Sequence, residues 1–143
     1  KAIELIYNNI RTAYANGMNI VARENMLRRS MLAGIAFANA GVTAVHAFAY
    51  PIGAEFHIPH GVANTIMLIP VMKFNFLGNL SKFAALAGIF GENISGLSRR
   101  RAADLAVETL TVLAEDLNVP KNLMKFGVGE KHIPKLAEGA MKV

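Results

Sequence analysis

The sequence predicts an all-α domain of about seven helices. Three observations carry that reading. Apolar residues recur at spacings of three and four along most of the chain, no stretch alternates apolar and polar residues for long, and no Asn-Gly pair sits between β-branched runs as a hairpin turn would require. The 143 residues are 53% hydrophobic and 17% charged, with 12 Gly, 5 Pro and neither Cys nor Trp. A chain of this length suits a single domain, and so apolar a composition excludes intrinsic disorder and a collagen-like repeat. Without Cys there is no disulfide scaffold, thiolate nucleophile or thiolate metal cluster. A reducing, cytoplasmic setting fits that composition.

Residues 2–16 place Ile3, Ile6, Tyr7, Ile10 and Tyr14 on one face, and Asn16-Gly17 ends the helix. A second helix over 20–40 is charged in its first half (Arg23, Glu24, Arg28, Arg29). Its second half is small and apolar (Ala33, Gly34, Ala36, Ala38), which predicts one wet end and one end packed closely on neighbouring backbone. Gly41 ends or kinks it. A third helix over 42–52 carries His46 and Tyr50. Pro51 lacks an N–H and disfavours helical backbone at Tyr50, so that helix is expected to distort or finish there. Residues 53–58 read as a loop hinged at Gly53. Pro59 suits the first turn of a fourth helix over 59–71, where an amide hydrogen is not needed. A short helix over 81–90 and a loop around 93–96 follow. The long helix over 98–117 buries the stripe Ala103, Ala106, Val107, Leu110, Leu113, Ala114 and Leu117. Asn118-Val119-Pro120 stops it, and a last helix over 130–141 closes the chain.

Charge is distributed unevenly. Fifteen Lys+Arg against ten Asp+Glu give a formal +5, but between Ser30 and Met72 the one charged residue is Glu55. The basic residues elsewhere are scattered and have no interleaved aromatics, so no nucleic-acid stripe is expected. The uncharged belt is long enough to span a bilayer. In its first part, residues 30–54, Ala is the commonest apolar residue and nearly neutral in membrane insertion, and that stretch holds Ser30, Asn39, Thr43, His46, Gly34, Gly41, Gly53 and Pro51. A helix buried by protein on all sides fits that content better. Glu55 is expected at a solvated rim, paired with a lysine.

Three of the four histidines, His46, His57 and His60, lie in this belt; the fourth, His132, sits beside Lys131 and reads as exposed. His46 and Tyr50 are i and i+4, on one helical face with Cβ atoms ~6 Å apart. His60 opens the next helix, so His46 and His60 can converge on one point. Two readings follow. The rings are hydrogen-bonded core or cleft histidines, or they share a divalent cation. Two are too few for a catalytic site, which takes three protein ligands and an open position. His57 is a third candidate, yet the gap across Ile58-Pro59 does not put it on one helical face with His60. Gly61 would permit close approach, and Asn64 can orient a ligand from behind.

The run AGIAFANAGVTAVHAFAYPIGAEFHIPHGVANTIMLIPVMKFN resembles the signature region of the iron-containing (group III) alcohol dehydrogenases. The likeness extends to ARENMLRRSMLAG before it and GVGEKHIPKLAEGAM after it, nearly the whole chain. His46 and His60, fourteen residues apart, with Pro-His-Gly and a downstream Asn64, are its most specific part. The resemblance implies the helical C-terminal domain of the dehydroquinate synthase-like fold. It makes His46 and His60 two of four protein ligands to Fe2+, in some members replaced by Zn2+. The other two, an Asp and a His four residues apart, are expected upstream of Lys1. So is the dinucleotide domain for NAD or NADP, while a further segment is expected after Val143. On that reading residues 1–143 form a single helical metal-binding domain that has no turnover alone.

One position departs from the family pattern. Many members carry a second His where this chain has Tyr50, and the resemblance places that group on the nicotinamide side as a proton relay. With a reference pKa near ~10, Tyr donates well but shuttles poorly at neutral pH. Tyr50 itself, or His57 from the loop side, is the replacement. Phe37 matches a pocket-lining position and reads equally as helix core. The implied reaction moves hydride between a small alcohol or aldehyde and NAD(P), with the metal polarising the oxygen and dry walls strengthening it. An apolar surface left uncovered predicts self-association into a homo-oligomer. The alternatives are a helical interaction module without redox activity, and a helical metal-binding protein using His46, His57 and His60 alone.

Overall fold

The computed structural model describes residues 2–143, and all regular structure among them is helical. Seven α-helices run α1 (Ala2–Ala15), α2 (Ile20–Ala40), α3 (Ala44–Phe56), α4 (His60–Asn75), α5 (Leu80–Ile89), α6 (Arg99–Asp116) and α7 (Ile133–Ala140). Short 3₁₀ turns occupy Phe76–Asn79, Leu123–Phe126 and Glu130–His132. Side chains start several elements as local chemistry requires: Asn19 accepts from the Ala22 amide at 3.0 Å, Asn79 from Lys82 at 3.1 Å, and Ser98 from Arg101 at 3.2 Å. The all-α expectation holds, and α2 covers the residues that its spacing predicts.

The chain divides into two packing units. One comprises the chain up to Gly41 together with Phe76–Leu117, where α1 packs on α2 and α5 on α6. Its core joins Ala87, Phe90 and Ala106 with Tyr7, Leu86, Ile94, Leu105 and Leu110, and the Tyr7 and Phe90 rings lie 4.8 Å apart. Alanines at 102, 103 and 106 are fully enclosed, which lets α5 and α6 approach closely. Thr109 is buried and donates its hydroxyl hydrogen to Glu92 Oε1 at 2.9 Å, so its polar atom is satisfied. Arg11 joins α1 to α6 through Asp116 at 2.7 Å. Along α6, Arg101 grips Glu108 through two N–H···O bonds of 2.7 and 3.0 Å and lowers the carboxyl pKa.

The second half of α2 departs from expectation. Ala22 is the one buried residue of that helix; Met31 and Ile35 are more than half exposed and Phe37 is nearly so. A Cβ added at Gly34 would meet nothing within 4 Å. The small residues at 33–38 therefore do not serve close packing here, and the uncharged belt is not enclosed on all sides. An Ala-rich stretch fits a tight helix interface and an open helix face equally well, so pattern alone could not decide.

The other unit contains Val42–Asn75 and Asn118–Val143, with α3 packed against both α4 and α7. Ala49, Ile52, Ile58, Ala63, Val128 and Leu136 form its core, flanked by Phe48, Phe56, Val62, Met67, Leu123 and Phe126. The third helix does not stop at Pro51: it continues to Phe56, and α4 likewise runs through Pro70 to Asn75. A proline inside an isolated helix costs about 3 kcal/mol or more. Burying Ile52 beside Pro51 returns about 1.5–3 kcal/mol, and Ala49 and Phe48 add to it. Pro51 is also a packing surface, since a Cβ added at Gly139 of α7 would lie 2.9 Å from its Cβ. Helix α4, the 3₁₀ turn at 76–79 and α5 make a continuous helical run, His60–Ile89, of 30 residues. Its most apolar window has a mean hydropathy of 1.2, long and apolar enough to cross a membrane by those two criteria alone.

Gly139→Ala is expected to lose about 1–2 kcal/mol, because the Pro51 ring is rigid and cannot yield as a flexible side-chain end would. Gly34→Ala, in open space mid-helix, is expected to gain about 0.5–1 kcal/mol; urea denaturation of the two variants compares them directly. The Glu108 carboxyl, held low by Arg101, favours the fold above the ordinary carboxylate range and loses that contribution as pH falls through its depressed pKa. Arg101→Ala is expected to return the Glu108 titration to the ordinary range, read by NMR.

Candidate metal centre

Three residues turn the chain from α3 into α4. His57 caps α3 in the left-handed region, with φ 52°, a conformation costly for most side chains. Ile58 is buried in the core, and its carbonyl oxygen lies 3.2 Å from where a Cβ on Gly53 would stand. Gly53 is thus a helical residue that admits the returning loop, not the hinge of a longer loop. The Pro59 carbonyl then accepts from Val62 and Ala63 at 2.9 and 3.0 Å and opens α4, the N-terminal place its lack of an N–H suits.

The turn brings His46, one helical turn before Tyr50, against His60 at the start of α4. The His46 and His60 rings have centres 5.4 Å apart and planes at 54°. Tyr50 lies 5.5 Å from His60, nearly parallel at 14°, and 6.2 Å from His46. His46 is half-buried, while His60 and Tyr50 are exposed. Two imidazoles bound to one tetrahedral cation at ~2.0–2.1 Å have ring centres roughly 5 Å apart once the ring radius is added. The observed spacing fits that donor pair. Among the described residues no three His, Cys, Asp or Glu side chains come together as a ligand set. Among the described residues His46 and His60 thus approach each other without a third such side chain beside them.

His57 stays outside the cluster. It is exposed at the C-cap, and none of the ring contacts of His46, Tyr50 and His60 includes it. A Cβ added at Gly61 would meet no protein atom within 4 Å. Asn64 lies one turn beyond His60, with its amide nitrogen 2.9 Å from His60 Nε2 and 3.0 Å from the His60 carbonyl. Its Oδ1 is buried with no hydrogen-bond partner. Glu55 is partly covered and pairs with Lys135 at 2.9 Å, the solvated pair expected for the belt's lone charge. Phe37 belongs to α2 in the other unit and is about half exposed.

Two features escaped the sequence reading. His132 is not simply exposed: its Nδ1 accepts from the Gly129 amide at 2.9 Å, and its ring meets Phe56 edge-on at 4.9 Å. The Gly-x-x-His spacing was the available signal. Further along α4, Ile66, Met67 and Pro70 face Leu123, Met124, Val128 and Ile133 across an apolar cavity of about 370 Å³, edged by Lys121 and Glu130. Its walls come from segments about 60 residues apart, which no local pattern reveals.

The family model "Fe-containing alcohol dehydrogenase family, C-terminal" matches residues 1–143. The 1,3-propanediol dehydrogenase of Klebsiella pneumoniae is 46% identical over 142 residues, 99% of this chain and 37% of that protein. The long-chain-alcohol dehydrogenase 1 of Geobacillus thermodenitrificans (strain NG80-2) is 40% identical over 99% of this chain and 36% of its own length. The crystal structure of a 1,3-propanediol oxidoreductase superposes with a TM-score of 0.97 at 45% identity, covering 99% of this chain and 37% of the other. The chain thus spans little more than a third of these relatives. Helical throughout, with paired histidines where α3 meets α4, it belongs to the iron-containing alcohol dehydrogenase family and corresponds to its C-terminal region.

Proposed function

We propose that this chain supplies the metal-binding side of an NAD(P)-linked alcohol dehydrogenase acting on a small alcohol or the matching aldehyde. The observation that carries it is the 5.4 Å approach of the His46 and His60 rings, in a chain of the iron-containing family. Fe2+, or Zn2+ in its place, would supply a Lewis acid at the substrate oxygen, and NAD or NADP would take or give the hydride. His46 and His60 hold the cation as neutral imidazoles, each contributing one ring lone pair. Tyr50, stacked on His60, is the better placed of the two relay candidates and donates a hydrogen bond from its hydroxyl. His57 serves as the cap of α3. Phe37 keeps the role that the resemblance gives it, an apolar wall for the carbon chain. We further assign the protein to the cytoplasm as a homo-oligomer, with no membrane or nucleic-acid partner.

The test uses the whole protein, following nicotinamide reduction with 1,3-propanediol and other small alcohols. Removing groups that merely support metal ligands costs about 10–100-fold. His46→Ala and His60→Ala are each expected to lose more than that, together with bound iron or zinc measured by elemental analysis. Full metal content and activity in both variants would defeat the proposal. Tyr50→Phe is expected to cost about a hundredfold in kcat/KM, the low end for a proton-relay group. His57→Ala is expected to leave kcat/KM within about twofold, and a larger loss there with none at Tyr50 would hand the relay to His57.

A further inference from the structure

The turn that leads into α7 is closed by a side chain that can take up a proton. The Gly129 amide lies 2.9 Å from His132 Nδ1, and the His132 amide returns a bond to the Gly129 carbonyl at 3.0 Å. A backbone N–H can only donate, so Nδ1 is the acceptor and brings a lone pair to its bond. A charged imidazole has none to offer, because both of its nitrogens carry hydrogen. His132 also stands immediately before Ile133, the first residue of α7, where the helix amides gather partial positive charge. A cationic ring is unfavourable there for that second reason. Val128 before the turn and Leu136 after it are both buried in the core that holds Ala49 and Ile52 of α3, so the turn sets how the chain enters that core.

We infer that His132 is an acid-sensitive clasp: the neutral ring holds the Gly129 amide, and the charged ring releases it and loosens α7 against α3. Protonation at Nδ1 sets two donors face to face, and one of them must turn away. The contribution to stability is present while the ring is neutral and disappears as acid charges it. The other charged and titratable groups on these elements do not offset that loss. Glu130 and Lys131 share the turn with His132, one of each sign. On α7, Lys135 pairs with Glu55 of α3 at 2.9 Å, and Glu138 with Lys142 at 2.6 Å, so each acid on the two helices is already held by a lysine. On the α3 side His57 follows Phe56, whose ring meets His132 at 4.9 Å. The inference is independent of the metal-binding role proposed above.

Amide hydrogen exchange on the whole protein tests this, with the charge of the His132 ring followed in parallel by its Cε1 proton signal. Relative to the intrinsic exchange rate at each pH, the Gly129 amide is expected to lose about fivefold in protection as the ring charges, the worth of one ordinary hydrogen bond. The amides at 137–140 in α7 are expected to fall with it. His132→Asn supplies an oxygen that accepts from the same amide and takes up no proton, so it is expected to keep the protection and lose the pH dependence. Protection at Gly129 or in α7 that stays constant while the ring titrates overturns the inference, as does a ring that remains neutral until the fold is lost. An unaltered pH dependence in His132→Asn assigns the effect to another group and overturns it equally. The wild-type measurement needs no variant, so it decides even if His132→Asn folds poorly.

Discussion

The carbonyl of Ile58 rests against Gly53, 3.2 Å from where any other residue would carry a Cβ. The arrangement of the histidines depends on that approach. It folds the chain back within three residues of the end of α3, with Ile58 buried and His57 forced into left-handed backbone. A Cβ at 53 would make the Ile58 carbonyl give by a few tenths of an ångström, in the turn that leads from α3 to His60. The close pairing of the two rings is thus set by backbone geometry first and by side-chain chemistry second.

Much of this was legible beforehand, for physical reasons. Helical periodicity marked all seven helices, because apolar stripes at three- and four-residue spacing bury well in one way only. The convergence of His46 and His60 followed from a helix end, a proline and a helix start close together. What misled was mostly tertiary. Pro51 should end a helix judged locally; it does not, because Ile52 and Gly139 give its neighbourhood enough packing to outweigh a missing hydrogen bond. The first part of the belt, residues 30–43, carries no charge, yet its surface is largely open, since composition states what a helix tolerates and not what lies beside it. His132 looked solvated because its partners, a backbone amide and the edge of Phe56, leave no mark in the sequence.

The two units divide the labour of the sequence. One is held by alanines that let α5 and α6 pack closely and by ion pairs at its surface, with no histidine in it. The other gathers all four histidines, two prolines inside helices and the left-handed cap. Departures from ideal helix chemistry are concentrated where the candidate site is. Regular packing elsewhere makes that concentration conspicuous.

The contact between Gly139 and Pro51 extends the site's influence to the far end of the chain. A bare backbone pressed onto a rigid ring sets how closely α7 approaches α3 at that point. The last helix therefore works as a splint for the segment bearing His46, which lies little more than a turn upstream of that ring. Lesions near the C-terminus, far from either imidazole in sequence, would reach the neighbourhood of His46 and His60 by loosening this contact.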